Sequence, residues 1–284
     1  MSPVIGTKGF VSSFLRLTRA WNLLIIAMSH YMIAVMLIGH ETVRDWKLFV
    51  LSLSTILIAA GGYIINDYYD IKIDLVNKPG RVVIGKGITR RYAILLHSLL
   101  SIVGVIAGFV IGWRIAAINF ASVFLLWWYS NDLKRHPFIG NAVVALMTGI
   151  SVMMVDALYE TGNILILIYA IFAFFMTLVR EIIKDMEDLK GDQTFGCRTL
   201  PIVWGFRKTK ILLYGIIGTF ASIVILMNYF SKKLPEYYFL VFLLPPLLVL
   251  VFRLARADTK KDFAWLSSFC KLIMLLGIFS LVFV

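Results

Sequence analysis

A helix that crosses the hydrocarbon core of a bilayer, roughly 30 Å thick, needs about 20 apolar residues in a row. This chain supplies that pattern again and again. Residues 20–39, 48–66, 92–113, 115–131, 137–155, 163–179, 211–231 and 237–252 contain no Asp, Glu, Lys or Arg, and 263–284 is interrupted only by Lys271. In lipid the backbone polar groups must be satisfied within the segment, so these stretches are read as helices. The weak alternation of a membrane β-barrel is absent. The sequence therefore predicts an all-α, polytopic membrane protein with nine transmembrane helices.

Composition agrees with that reading. Of the 284 residues, 60% are hydrophobic and 15% charged, a balance unsuited to a soluble domain of this size. A net charge of +12 by itself admits a nucleic-acid partner, but the position of the charge argues against one. When the loops are assigned alternately to two sides, 22 of the 28 Lys and Arg fall on the side of the amino terminus. That is the positive-inside asymmetry, and it predicts a cytoplasmic amino terminus and a carboxyl terminus outside. The segment before Trp21 lacks a continuous apolar run followed by a cleavage site, so it is not read as a removable signal. No Pro/Gly/Ser linker or low-complexity tract interrupts the chain, and residues 1–284 are taken as one membrane domain.

Two cytoplasmic loops stand out by length and charge, at 67–91 and 180–210, and they contain an internal repeat. Asp67, Asp70 and Asp74 form D-x-x-D-x-x-x-D, and Asp185, Asp188 and Asp192 repeat it at a constant offset of 118 residues. Eight of the sixteen acidic residues lie in or beside these segments, Glu181 and Glu187 included. On a helix such spacing directs three carboxylates to one side. Clustered carboxylates repel unless a cation lies among them. Hard oxygen donors without an accompanying His or Cys cluster favour Mg²⁺, which takes one or two carboxylates and completes its shell with water and phosphate. Two such sites fit the binding of a diphosphate. An EF-hand loop is excluded, because the required glycine and closing glutamate are missing.

Cations accompany both segments: Lys78, Arg81, Lys86, Arg90 and Arg91 after the first, Arg180 and Lys184 before the second, and Arg198 after it. Lys134 closes the fourth span in Tyr129-Ser130-Asn131-Asp132-Leu133-Lys134. With metal, such cations would neutralise a leaving diphosphate. Arg90, Arg91, Arg207 and Lys208 read instead as topology anchors. Tyr63, Tyr68, Tyr69, Trp127, Trp128 and Tyr129 are either the lining of an isoprenoid pocket or an interfacial belt. His30, His97, His136, Cys197 and Cys270 are read as packing or interface residues.

At these motifs the chain resembles the UbiA family of intramembrane prenyltransferases. The run 66–74 followed by Asn77-Lys78-Pro79-Gly80-Arg81 is similar to the family's N-D-x-x-D-x-x-x-D signature and its extension, and Asp188 and Asp192 match the second D-x-x-x-D. The resemblance implies nine helices around a central cavity open to the bilayer. It implies one Mg²⁺ served by Asn66, Asp70 and Asp74, and another by Asp188 and Asp192 with Asp185. It places Arg81, Lys134 and Arg198 on the diphosphate and Asn22 in the pocket; Lys78, Tyr129, Arg180 and Lys184 join them as substrate-binding candidates. Arg180-Glu181-Ile182-Ile183-Lys184-Asp185-Met186-Glu187-Asp188 is similar to a run in the subgroup that joins a geranylgeranyl chain to geranylgeranylglyceryl phosphate, and Cys197-Arg198-Thr199-Leu200-Pro201 also fits it. Residues 82–87 depart from that subgroup, which carries a Pro-rich turn there.

The expected activity is Mg²⁺-dependent transfer of a prenyl group, geranylgeranyl by the subgroup resemblance, from its diphosphate to a membrane-soluble lipid glycerol phosphate. The expected location is the cell (inner) membrane, with the active site toward the cytoplasm. The alternatives are an aromatic acceptor and, from another class, a cation-coupled transporter. Transport sites lie near the bilayer midplane, whereas these acids follow span ends on one side.

Overall fold

The computed structural model describes residues 7–235 and 238–284. Among them the backbone is helical almost throughout, and the extended pairing is limited to an isolated bridge between Ile84 and Ile88. The chain divides into two compact units, residues 1–27 with 49–133 and residues 28–48 with 134–284. Each unit carries one aspartate segment.

The first unit holds α1 (Thr7–Leu17), the opening turns of α2 (Ala20–Leu37), most of α3 (Trp46–Asn77), α4 (Arg90–Ile111) and α5 (Trp113–Asn131). Small residues let α4 and α5 approach closely. The Asn119 amide, 1% exposed, donates to the Gly104 carbonyl at 3.1 Å. A Cβ at Gly108 would lie 2.6 Å from that same amide. The His97 ring donates through Nδ1 to the Gly61 carbonyl at 3.0 Å, tying α4 to α3 as a packing residue.

The departure at 82–87 has a clear structural role. Val83, Ile84 and Ile88 are buried with Leu17, Ile64 and Ala93 in one apolar cluster. The turn closes on itself: Gly85 N donates to Ile88 O at 2.8 Å, and Gly87 N to Val83 O at 2.8 Å. Gly85 takes a φ of +91°, which favours glycine. The loop is therefore a plug that docks α1, and Arg16 donates to the Gly80 carbonyl at 2.6 Å beside it. Thr89 then caps α4 by accepting from Tyr92 N.

The second unit holds the rest of α2, α6 (Ile139–Tyr159), α7 (Ile164–Glu187), α8 (Leu189–Thr194), α9 (Leu200–Ser231), a π-helical turn at Phe239–Leu243, α10 (Leu244–Arg256) and α11 (Lys260–Ser280). The most buried of the membrane-length helices is α7. His30, fully buried, lies 2.9 Å from the Ser151 carbonyl, so α2 packs on α6. At the far end from the aspartates, Tyr159 donates to Asp45 at 2.9 Å and the Asn163 side chain to the Leu37 carbonyl at 3.1 Å. Asn163 also caps α7, and a Thr259–Asp262 capping box opens α11. Helix α9 is broken at Gly205, where φ is +74°. Both cysteines are buried and unbridged.

Seven described helices are long and apolar enough to cross a membrane: α2, α3, α4, α6, α7, α9, and α11 with its closing turn. The two other expected spans fall outside that group for physical reasons. Helix α5 has the length, at 19 residues, but Arg114, Asn119 and the run Trp127-Trp128-Tyr129 lower its hydropathy. Helix α10 has 13 residues, about 20 Å of rise, which is short of a bilayer core. The first residue of the span expected at 237–252, Tyr237, lies outside the described residues.

The two long loops are also shorter than the sequence implied. Helix α3 runs without a break through the first aspartate segment to Asn77. Helix α7 runs to Glu187, and α9 starts at Leu200. Hydropathy marks where apolar side chains stop; it does not mark where a helical ladder stops.

Candidate active site: two aspartate segments on helix ends

In the first unit, α3 is 32 residues long, about 48 Å, more than a bilayer core of roughly 30 Å requires, and the aspartates lie in its last third. Asn66, Asp70 and Asp74 follow at intervals of four and share a face. All three are half-buried, while Lys72, Leu75 and Val76 on the other face are exposed. Asp67, on the same side, is ion-paired: Arg19 Nη2 lies 2.8 Å from its Oδ1. Arg19 sits at the corner between α1 and α2 with φ +53°, a left-handed conformation that costs a residue with a Cβ about 1–2 kcal/mol. Its guanidinium also stacks over the Tyr63 ring, 4.7 Å from the centroid. The Asn22 amide donates to the Tyr63 hydroxyl at 3.3 Å. The corner therefore delivers Arg19 and Asn22 to the aspartate-bearing helix. Lys78 N donates to Asp74 O and Arg81 N to Lys78 O, each at 2.8 Å, so both cations follow the last aspartate in a tight turn. The Lys78 side chain is half-buried and that of Arg81 exposed.

The second segment has the same spacing on a different backbone. Asp185 closes α7, Asp188 occupies the break with φ −94° and ψ 7°, and Asp192 lies in the short α8. One continuous helical face, as expected from the spacing, is thus realised in the first segment and not in the second. The turns stay connected: Asp188 N donates to Lys184 O at 2.8 Å, Asp192 N to Asp188 O at 3.2 Å, and Cys197 N to Asp192 O at 2.9 Å. The Asn141 amide of α6 donates to Asp185 Oδ2 at 2.9 Å. Arg180 and Lys184 both turn to Glu181, at 2.6 and 2.9 Å on its two oxygens. Arg198 N donates to the Arg135 carbonyl at 2.7 Å, which brings the Arg198 backbone against the segment carrying Lys134.

Both segments place carboxylates in the last turns of long helices. There the negative end of the helix dipole disfavours anions, and a cation offsets the cost. Among the described residues, no three His, Cys, Asp or Glu side chains come together as a ready-made metal cage. The donors present are carboxylate and amide oxygens, the hard type that Mg²⁺ takes in ones and twos before water and phosphate complete the shell. The donor set therefore fits Mg²⁺. Of the aromatics, Trp127 and Trp128 are exposed and lean on Phe124, as belt residues do, whereas Tyr129 is half-buried.

Sequence reasoning singled out the carboxylates and most of the cations. It missed Arg19 and Asn141 as partners of the aspartates and Glu181 as the counter-ion of Arg180 and Lys184. Charge counting treats Arg19 as one more positive-inside residue. Nothing in a single sequence shows which carboxylate it reaches across 48 positions.

These features define a polytopic, all-helical membrane protein with two hard-oxygen donor segments on helix ends. The UbiA prenyltransferase family model matches residues 27–278. The chain belongs to the UbiA prenyltransferase family, and it is a prenyltransferase of the membrane-embedded kind. It is 29% identical over 272 residues to a digeranylgeranylglyceryl phosphate synthase of Methanosphaera stadtmanae, covering 95% of this chain and 98% of that protein. A solved digeranylgeranylglyceryl phosphate synthase superposes with a TM-score of 0.73 at 24% identity, over 96% of this chain and 97% of that one. A UbiA homologue from Archaeoglobus fulgidus, solved with GPP and Mg²⁺ bound, superposes with a TM-score of 0.64 at 15% identity, over 96% of this chain and all of that one.

Proposed function

We propose that this protein transfers a geranylgeranyl group from geranylgeranyl diphosphate to the free hydroxyl of geranylgeranylglyceryl phosphate, forming an ether lipid. The likeness to a digeranylgeranylglyceryl phosphate synthase along nearly the whole chain carries this reading. The chemistry of the two segments supports it. The bond between the first prenyl carbon and the diphosphate oxygen breaks, and the diphosphate leaves with the electron pair. The glycerol hydroxyl oxygen attacks that carbon, and its proton passes to the departing diphosphate or to Glu187.

Asn66, Asp70 and Asp74 in one unit, and Asp188 and Asp192 in the other, are the residues that would hold Mg²⁺, with Asp185 in the turn just ahead of the second pair. When bound, Mg²⁺ supplies the positive charge that stabilises the leaving diphosphate. Lys78, Arg81, Lys134 and Arg198 add side-chain cations for the diphosphate. Arg180 and Lys184 pair with Glu181, which keeps two cations inside the protein at low cost until the anionic headgroup of the acceptor competes for them. Asn22 and Tyr129 border the prenyl chain. The reading further takes residues 1–284 as one nine-helix domain with its amino terminus and active site toward the cytoplasm, in the cell membrane.

The test is direct. Purified protein receives geranylgeranyl diphosphate and Mg²⁺ with either geranylgeranylglyceryl phosphate or 4-hydroxybenzoate. Ether product with the first acceptor is expected. A prenylated ring as the sole product, or no product from either, would contradict the proposal.

A further inference from the structure

We propose that Asn141 is a positioning residue for the second aspartate segment, acting through Asp185, and that Asp185 serves as a strut while Asp188 and Asp192 face the metal. This rests on the reading above, in which that segment holds Mg²⁺ for the diphosphate.

Asn141 is 7% exposed, and its amide lies 2.9 Å from Asp185 Oδ2. A carboxylate at the buried carboxyl end of a helix needs a donor, because the helix dipole opposes it and desolvation is costly. The neutral Asn141 amide satisfies one of the two Asp185 carboxylate oxygens. The nearest cations in sequence, Arg180 and Lys184, are engaged by Glu181. Asp185 stands in the last turn of α7, just ahead of the break at Asp188. Asp188 is tied to Lys184 O, and Asp192 to Asp188 O. Fixing Asp185 therefore fixes the turn from which both later aspartates project.

The first unit contains a counterpart. Asn22 is the third residue of α2, as Asn141 is the third residue of α6, and 119 residues separate them. The aspartates repeat at 118, so the internal repeat reaches upstream into the preceding helix. Asn22 grips α3 at Tyr63, while Arg19 takes the leading aspartate, Asp67. In both units the leading aspartate is engaged by a residue from the start of the preceding helix or the corner just before it.

Groups that orient metal ligands are worth roughly 10- to 100-fold in metal affinity, and Asn141 with Asp185 forms one such unit behind Asp188 and Asp192. The test uses the full chain in detergent, with Mn²⁺ binding followed by electron paramagnetic resonance and folding followed by thermal unfolding. Asn141→Leu is expected to weaken Mn²⁺ binding about tenfold or more. The reciprocal exchange Asn141→Asp with Asp185→Asn rebuilds the hydrogen bond with donor and acceptor interchanged, and is expected to recover most of that loss. An Asn141→Leu protein that folds and binds Mn²⁺ like the parent overturns the proposal. So does a folded exchange variant as weak as N141L, because the carboxylate at 185 would then be a ligand in its own right. Should Asn141→Leu fail to fold, Asn141→Ser carries the same comparison. A parent that binds no Mn²⁺ overturns both this inference and the Mg²⁺ reading. A parent that binds Mn²⁺ yet transfers no prenyl group sinks the proposed reaction alone.

Discussion

At the scale of single residues, the proposed function divides the two segments between carboxylates that would face a ligand and charges that hold the scaffold. Asp70 and Asp188 hold matched positions in the two repeats. Replacing either with Ala should lower prenyl transfer roughly 10²-fold or more, the scale on which one electrostatic stabiliser of a developing charge counts. Single-turnover assays at saturating donor measure this; a loss under threefold at either position would contradict the two-segment account. Glu181 acts differently. Its side chain is 9% exposed and each oxygen meets a cation. Glu181→Ala leaves Arg180 and Lys184 without their counter-charge, which costs on the order of 3–5 kcal/mol for a buried pair. The expected outcome is a clear drop in unfolding temperature in detergent, and an unchanged temperature would show that the pairing is dispensable.

At the scale of elements, the unusual loop at 82–87 is explained by what it covers. Its apolar residues would be misplaced in a solvated turn, and the structure buries Val83 and Ile84 against Leu17 of α1. Leu17→Ala, at a fully buried position, should cost about 2–5 kcal/mol and loosen the loop. Faster tryptic cleavage at Lys86 reads that out; unchanged cleavage would mean that α1 is not what holds the loop. The elements also show where sequence reading stops. The apolar spans and the aspartate spacing are legible because hydropathy and periodicity are local properties. The run of α3 through Asp74 and the break at Asp188 are not, because identical D-x-x-D-x-x-x-D spacing suits either backbone. The second segment contains Gly191 and is followed by Gly196, whereas the first meets no glycine before Gly80. The partners Arg19 and Asn141 were illegible because each acts across more than 40 positions.

At the scale of the whole molecule, two units each present an aspartate segment at the end of a long helix, and the family match extends across both. The proposed topology, drawn from the Lys and Arg asymmetry, has both segments facing the cytoplasm. Cysteine substitutions at exposed Lys72 and Lys190 should therefore react with an impermeant maleimide only in inverted vesicles; labelling from outside intact cells would reverse the topology. The central claim is that the acceptor's own oxygen becomes the ether oxygen at the first prenyl carbon. It is tested most directly with geranylgeranylglyceryl phosphate carrying ¹⁸O in its free hydroxyl, turned over with geranylgeranyl diphosphate and Mg²⁺ and analysed by mass spectrometry. The account predicts the label in the ether lipid and none in the released diphosphate. An unlabelled ether, or no ether at all from an enzyme that prenylates another acceptor, would contradict it.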